Sequence, residues 1–177
     1  MLGWLTRRFD RAATARKLYG SSVTQARRQA FYANWHIPDT PQGRFEMVVL
    51  HVVLMVRRLT REGPAGARLA RALNEAFIAD MDDNMREMTI GDLRVPREIK
   101  QVTSALLDRH KAYSSGLTTR LYEALAGQLR YLDATPPVDI ASLARYAHRA
   151  AAMLDAEAGA RILTGDLVWP DPESKED

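Results

Sequence analysis

Residues 96–132 read PREIKQVTSALLDRHKAYSSGLTTRLYEALAGQLRYL. Ile99, Val102, Leu106, His110, Tyr113, Leu117, Leu121, Leu125 and Leu129 recur at steps of three and four, the period of one face of an α-helix. A half-buried strand would alternate apolar and polar residues at every second position. No such alternation occurs, and neither an Asn-Gly nor an Asp-Gly hairpin signal is present. Pro96 suits the first turn of this helix, where its missing N–H costs nothing. Unbroken, the run would be about 55 Å long at 1.5 Å per residue, so Ser114-Ser115-Gly116 is where the pattern predicts a kink or a break. Thr135-Pro136-Pro137 closes it.

The same period extends in both directions. Leu2, Leu5, Phe9 and Ala12/Ala13 share a stripe, and Gly20-Ser21-Ser22 is expected to break that helix. Ser21 or Ser22 then caps a second helix over residues 23–34. Ile37-Pro38-Asp39-Thr40-Pro41 reads as a loop, because each proline pushes its predecessor away from α geometry. A third helix is expected over residues 43–61, apolar on most sides and therefore central. Gly63-Pro64 ends it. A fourth, over residues 64–88, carries Leu69, Leu73, Phe77, Met81, Met85 and Met88 on one face, before a turn through Thr89-Ile90-Gly91-Asp92. Asp139 caps a sixth helix with Ile140, Leu143, Ala147, Ala150 and Leu154 inward, and Gly159 and Gly165 loosen its end. The expectation is an all-α chain, a single compact bundle of about six or more helices. Residues 1–17 form a basic amphipathic segment, 18–168 the helical domain, and 169–177 an acidic tail expected to be disordered.

Composition narrows the chemistry. The chain has 177 residues, 46% hydrophobic and 27% charged, within the ordinary range of a globular domain. It has no cysteine, which excludes disulfides, thiolate metal sites and a cysteine nucleophile. The net charge of +3 is too small to argue for nucleic-acid binding. The longest apolar run, residues 47–56, contains His51 and falls well short of the roughly 20 residues that span a bilayer.

Charge is unevenly spread. Arg7, Arg8, Arg11, Arg16, Lys17, Arg27 and Arg28 face Asp10 alone near the start, whereas Asp80, Asp82, Asp83, Glu87 and Asp92 face Arg86 alone. Such asymmetry suggests two kinds of contact surface, or simply solvated helix faces.

Catalytic and metal patterns are missing. His36, His51, His110 and His148 form neither His-Glu-x-x-His nor Glu-x-x-His, and His51 and His110 fall in apolar periodicity, as core histidines do. Asp80-x-Asp82-Asp83-Asn84 begins like a calcium loop. It has Met85 where the loop needs glycine and Gly91 where it needs glutamate. There is no phosphate-binding glycine loop and no Gly-x-Ser-x-Gly elbow. The reading is a non-enzyme with no cofactor, no metal and no specific nucleic-acid partner.

Three stretches ask for more than packing. Phe31-Tyr32 precedes Pro38-Asp39-Thr40-Pro41-Gln42-Gly43-Arg44-Phe45-Glu46, where Asp39 or Thr40 can cap the next helix. Met81, Met85 and Met88 either fill the core or present an adaptable apolar groove, as flexible thioethers do. Beside them, acids close to a helix C-terminus oppose the dipole, a cost of a few tenths of a kcal/mol each that suggests a basic partner. The basic start, with Leu2, Leu5, Arg7, Arg8, Phe9 and Arg11, is of the type that lies on an anionic membrane surface or packs onto a bundle.

In these stretches the sequence resembles the ubiquinol–cytochrome c chaperone family. The marks are Leu18-Tyr19-Gly20, Gln25-Ala26-Arg27 with Phe31-Tyr32, Pro38-Asp39-Thr40 with Gly43-Arg44-Phe45-Glu46, Asp80-Met81-Asp82 with Arg86-Glu87, Gly91-Asp92-Leu93, and Val95-Pro96. Thr89 departs from the pattern, where glycine is expected before the turn. The resemblance covers residues 18–167 and implies an all-helical assembly factor of the cytochrome bc1 complex that binds newly made cytochrome b. Mitochondrial members act with a small helical partner and associate with ribosomes, so those are the further partners it implies. The expected client-binding residues are Tyr32, Arg44, Phe45, Glu46, Asp80, Met81, Asp82, Met85, Arg86, Glu87 and Asp92. The expected location is a bacterial cytoplasm, peripheral on the inner face of the membrane. The Arg-rich start keeps a mitochondrial matrix as the alternative. The competing functions are a peripheral membrane scaffold held by its first helix and a small helical hydrolase.

Overall fold

The computed structural model describes residues 3–87 and 95–174, and within them the side chains other than those of residues 3–9, 118 and 119. Eight helices are formed among these residues: α1 (Gly3–Ala26), α2 (Gln29–Ala33), α3 (Pro41–Thr60), α4 (Gly63–Glu87), α5 (Val95–Thr119), α6 (Leu121–Leu129), α7 (Ile140–Ala156) and α8 (Gly159–Thr164). No strand is present among them.

The most apolar helix is the central one. α3 buries Met47 through Val56 without interruption, His51 included, and packs against α1, α4, α5 and α7. A helix apolar on all sides can satisfy its surface only by being surrounded. Thr40 caps it, accepting a hydrogen bond from the Gly43 N–H at 3.2 Å, and Pro41 occupies the first turn. Around it, Leu69, Leu73 and Phe77 of α4, and Leu143, Tyr146, Ala147, Ala150 and Leu154 of α7, turn their periodic faces inward.

At its far end α3 is clamped to α7 by arginine. Arg57 makes two 3.0 Å bonds to Asp155. Arg58, 5% exposed, donates to the Leu154 carbonyl at 2.6 Å and the Glu157 carbonyl at 2.8 Å, and pairs with Glu62. It thereby satisfies carbonyls at the end of α7 that have no intrahelical partner.

Four expectations differ from this fold. First, Gly20-Ser21-Ser22 does not break α1, which runs unbroken to Ala26. The buried Ser22 hydroxyl donates to the Leu18 carbonyl at 2.9 Å, one turn back, so the serine is satisfied inside the helix. The joint falls instead at Arg28, whose backbone is extended, and only the short α2 follows. The boundary after residue 17 thus lies within one helix, and Ala15 is already in the core.

Second, the long run of residues 96–132 breaks at Arg120, not at Ser114-Ser115-Gly116. Gly116 matters for another reason. A Cβ there would stand 3.0 Å from that of Ala124 and 3.1 Å from the Leu121 Cα, so glycine allows α6 to fold closely onto α5.

Third, the two glycines near the end are structural: Gly159 opens α8, and Gly165 at φ 80° closes it in the left-handed conformation. Fourth, the chain after α8 is not loose through residue 174. The Trp169 indole N–H donates to Ser21 Oγ at 3.1 Å, and Gln25 donates to the Pro170 carbonyl at 2.8 Å. Pro170 and Pro172 are buried. The turn predicted at residues 89–92, together with Met88, lies outside the described residues.

Candidate functional site

Capping by Thr40 sets the phase of the first turns of α3, and three consecutive side chains then point three ways. Arg44 faces solvent and pairs with Asp39, at 2.5 Å from Nε and 3.1 Å from Nη2. This bidentate contact holds the Asp39 carboxyl below the usual carboxylate range. Phe45 is half-buried against Phe77 of α4, ring centroids 6.1 Å apart.

Glu46 turns fully inward, its side chain 0% exposed. Arg109 of α5 donates to it from Nε at 3.1 and 3.0 Å and from Nη2 at 2.5 Å, and the Tyr131 hydroxyl donates at 2.7 Å. Among the described residues put forward for client contact, Glu46 is the one that is fully buried. It joins α3, α5 and the end of α6 instead of facing outward.

Beside Phe45, the C-terminal half of α1 meets that of α4. The Tyr19 hydroxyl donates to Asp80 at 2.6 Å, and its ring stands edge-on to Phe77 at 6.2 Å. Burial first, and the bond to Asp80 second, push the Tyr19 phenol well above its ordinary pKa. Tyr32 donates to the Ala26 carbonyl at 2.8 Å. Its phenol is pushed up to about 12 by burial and then by the Asp39 charge, with Arg44 and Arg27 opposing.

Met81 lies partly buried against the core, and Met85, one turn on, is also half-buried. Asp82 accepts from Arg86 at 2.7 Å, while Asp83 and Glu87 are exposed. Asp92 lies outside the described residues.

Between α1 and α4 runs an open cleft of about 390 Å³, floored by Ala12, Ala72, Ala76 and Ala79 and rimmed by Arg16, Glu75, Asp80 and Asp83. The structure thus brings Phe45, Asp80 and Met81 to one end of the bundle, with Tyr32, Asp39 and Arg44 grouped by their mutual charges. Tyr19 stood among the family marks but not among the expected client-binding residues, and the alanine seam was not singled out. The seam was legible as Ala72, Ala76 and Ala79 at helical spacing, but small residues look the same whether they face a neighbour or a cleft.

Adjoining the first cleft, towards the N-terminal side of the same two helices, Arg11, Arg68 and Arg71, with Glu75, line a second cleft of about 310 Å³. No ion pair engages them among the described residues. Of the residues proposed for membrane contact, Arg11 lies here. Leu2 is outside the described residues, as are the side chains of Leu5, Arg7, Arg8 and Phe9. Among the described residues no helix is long and apolar enough to cross a membrane, and no group of three or more His, Asp or Glu is placed to hold a metal ion.

The arrangement offers a cleft with a mainly acidic rim and adaptable apolar side chains. The chain is 24% identical over 159 residues to ubiquinol-cytochrome-c reductase complex assembly factor 1 of Xenopus laevis, covering 88% of this chain and 80% of that protein. It is 22% identical to the mouse protein of the same name, covering 88% of this chain and 54% of that one. The crystal structure of the Cbp3 homolog from Brucella abortus superposes with a TM-score of 0.82 at 31% identity, over 99% of this chain and 100% of that one. The family model described as ubiquinol-cytochrome C chaperone matches residues 33–169, well over half of the chain, so the chain belongs to the ubiquinol–cytochrome c chaperone family.

Proposed function

We propose that this protein is a non-enzymatic assembly chaperone of the bc1 complex and that its client is newly made cytochrome b. The observation that carries the reading is the α1–α4 cleft, whose alanine floor is rimmed by three carboxylates against Arg16 alone, with Met81 following Asp80 on α4. An apolar client helix fits the floor. The Lys- and Arg-rich loops that membrane proteins keep on the cytoplasmic side fit the rim. Binding to such a surface needs no catalytic group.

The test reverses charge on two exposed acids near the end of α4. Asp83→Lys with Glu87→Lys is expected to weaken capture of nascent cytochrome b about tenfold, by opposing its basic loops. Melting should barely move, because exposed substitutions usually change stability by under about 0.5 kcal/mol. Site-specific crosslinking from position 83 to nascent cytochrome b reads the contact directly. A folded double variant that captures its client as well as wild type sinks the proposal.

A second reading concerns location. Arg11, Arg68 and Arg71, which outnumber the acids beside them, favour a peripheral contact with anionic membrane, of the kind proposed for the inner face of a bacterial membrane or a mitochondrial matrix face. Each basic group close to such a surface contributes about 1 kcal/mol, an attraction that salt screens. Wild type should therefore float with phosphatidylserine vesicles at low salt and be released at high salt. Arg68→Glu with Arg71→Glu should abolish flotation without touching client capture. Flotation that persists in this variant removes α4 from the contact.

A further inference from the structure

A third open cleft, of about 310 Å³, lies between Arg11 and Thr14 of α1, Ala65, Arg68 and Leu69 of α4, and Leu163 of α8. Its sides differ in chemistry. Leu69 belongs to the core at 3% exposed, Leu163 is partly buried against it, and Ala65 is exposed, so the apolar side grades from core to solvent. Arg11 and Arg68 make the basic side. Both also line the adjoining cleft, together with Arg71 and Glu75.

None of these three arginines is in an ion pair among the described residues. Two carboxylates lie beside them, Asp10 in one cleft and Glu75 in the other. Three guanidiniums against two carboxylates leave one positive charge. The other groups at hand are committed. The Thr14 hydroxyl donates to the Asp10 carbonyl at 2.9 Å, and Lys17, three residues on, pairs with Asp166.

We propose that this cleft seats the headgroup of an anionic phospholipid. Arg11 and Arg68 grip its phosphodiester with their forked donors, and the first acyl methylenes lie on Ala65, Leu69 and Leu163. This seat rests on the membrane reading above and gives that contact a ligand. The single surplus charge matches a phosphodiester, which carries one negative charge. A free phosphate carries nearly two at neutral pH, and the second would meet Asp10 and Glu75 uncompensated. The volume is at the small end of ligand clefts, about 300–1,000 Å³, enough for a headgroup and the start of a chain.

The test titrates the full chain with dihexanoyl-phosphatidylglycerol below its micellar concentration, read by calorimetry. Wild type should bind saturably, with one lipid per chain. Arg11→Gln should weaken binding about tenfold. Ala65→Trp fills the apolar side and changes no charge. It should weaken lipid binding about as much, at unchanged melting temperature, while low-salt flotation with phosphatidylserine vesicles persists. Dihexanoyl-phosphatidylcholine, which has the same chains and no net charge, should bind more weakly. Absence of saturable binding, or full binding by either variant, overturns the seat. So does binding of phosphatidylcholine or inorganic phosphate as tight as that of phosphatidylglycerol. Wild-type flotation that survives such a result leaves the membrane reading standing as a diffuse electrostatic contact, so the two fail separately.

Discussion

Arg109→Ala is expected to destabilise the fold by about 3–5 kcal/mol, the usual consequence of leaving a buried charge without its partner. The Glu46 side chain is 0% exposed and that of Arg109 is 13% exposed, so the carboxylate loses its charged partner in a largely desolvated site. Only the Tyr131 hydroxyl would remain on the carboxylate. Thermal or denaturant unfolding reads the loss. A paired replacement isolates its cause. Glu46→Met with Arg109→Leu removes both charges at similar volume, and such exchanges are often neutral or stabilising. The double variant should therefore be markedly more stable than Arg109→Ala. If the two unfold together, the cost comes from packing around α5 and not from the unpaired carboxylate. Client capture by the double variant also reports on Glu46, because a carboxylate that only joins helices can be removed without loss of capture.

Acid should weaken the protein through His51. Its ring is fully buried, with Phe31, Tyr146 and Trp169 at 5.6, 5.6 and 5.0 Å between centroids. Nδ1 lies 2.7 Å from the Met47 carbonyl, which can only accept, so Nδ1 carries the proton. Nε2 then accepts from the Tyr146 hydroxyl at 2.7 Å, and that oxygen accepts from Gln25 at 3.0 Å. Every member of this chain is satisfied with His51 neutral. Burial lowers the imidazole pKa from 6.5 to about 4, partly offset by the bond to Met47.

The sign follows from proton counting. Between about 6.5 and 4 the unfolded chain binds the proton and the folded one does not, so stability rises with pH in that window. The contribution is complete above about 6.5, is lost as pH falls through 4, and amounts to about 3 kcal/mol. Unfolding free energies at stepped pH should show this slope. His51→Gln, whose amide does not titrate, should flatten it. An unchanged acid slope in that variant would assign it to other groups.

These two clusters show where sequence reading stops. His51 was legible as a core histidine, because it lies inside an unbroken apolar run. Its partners were not, since Gln25 and Tyr146 come from helices 26 positions before and 95 after it. Glu46 stood between Phe45 and Met47 in the expected third helix and was put forward for client contact. Its burial depends on Arg109, 63 positions away. Two caps fared better than the one expected at Ser21 or Ser22. Thr40 and Asp139 act within three residues of themselves, accepting from Gly43 and Ser142, so the sequence carries all that is needed to place them.

The all-helical class, the central place of α3 and its two flanking stops were determined by the amino-acid sequence itself. Periodicity, proline and capping oxygens act over a few residues, and their energies do not depend on what the distant chain does. Tertiary structure alone decided that α1 passes through Gly20-Ser21-Ser22. It also decided that the turn after α5 falls at Arg120 and that Trp169 docks beside His51. Local preferences for a break, worth about a kcal/mol or less, gave way at both helix positions to how neighbouring helices pack, and the Trp169 contact joins residues far apart in the chain. The cleft between α1 and α4 belongs to the same class, because a groove exists only once two helices have been set side by side.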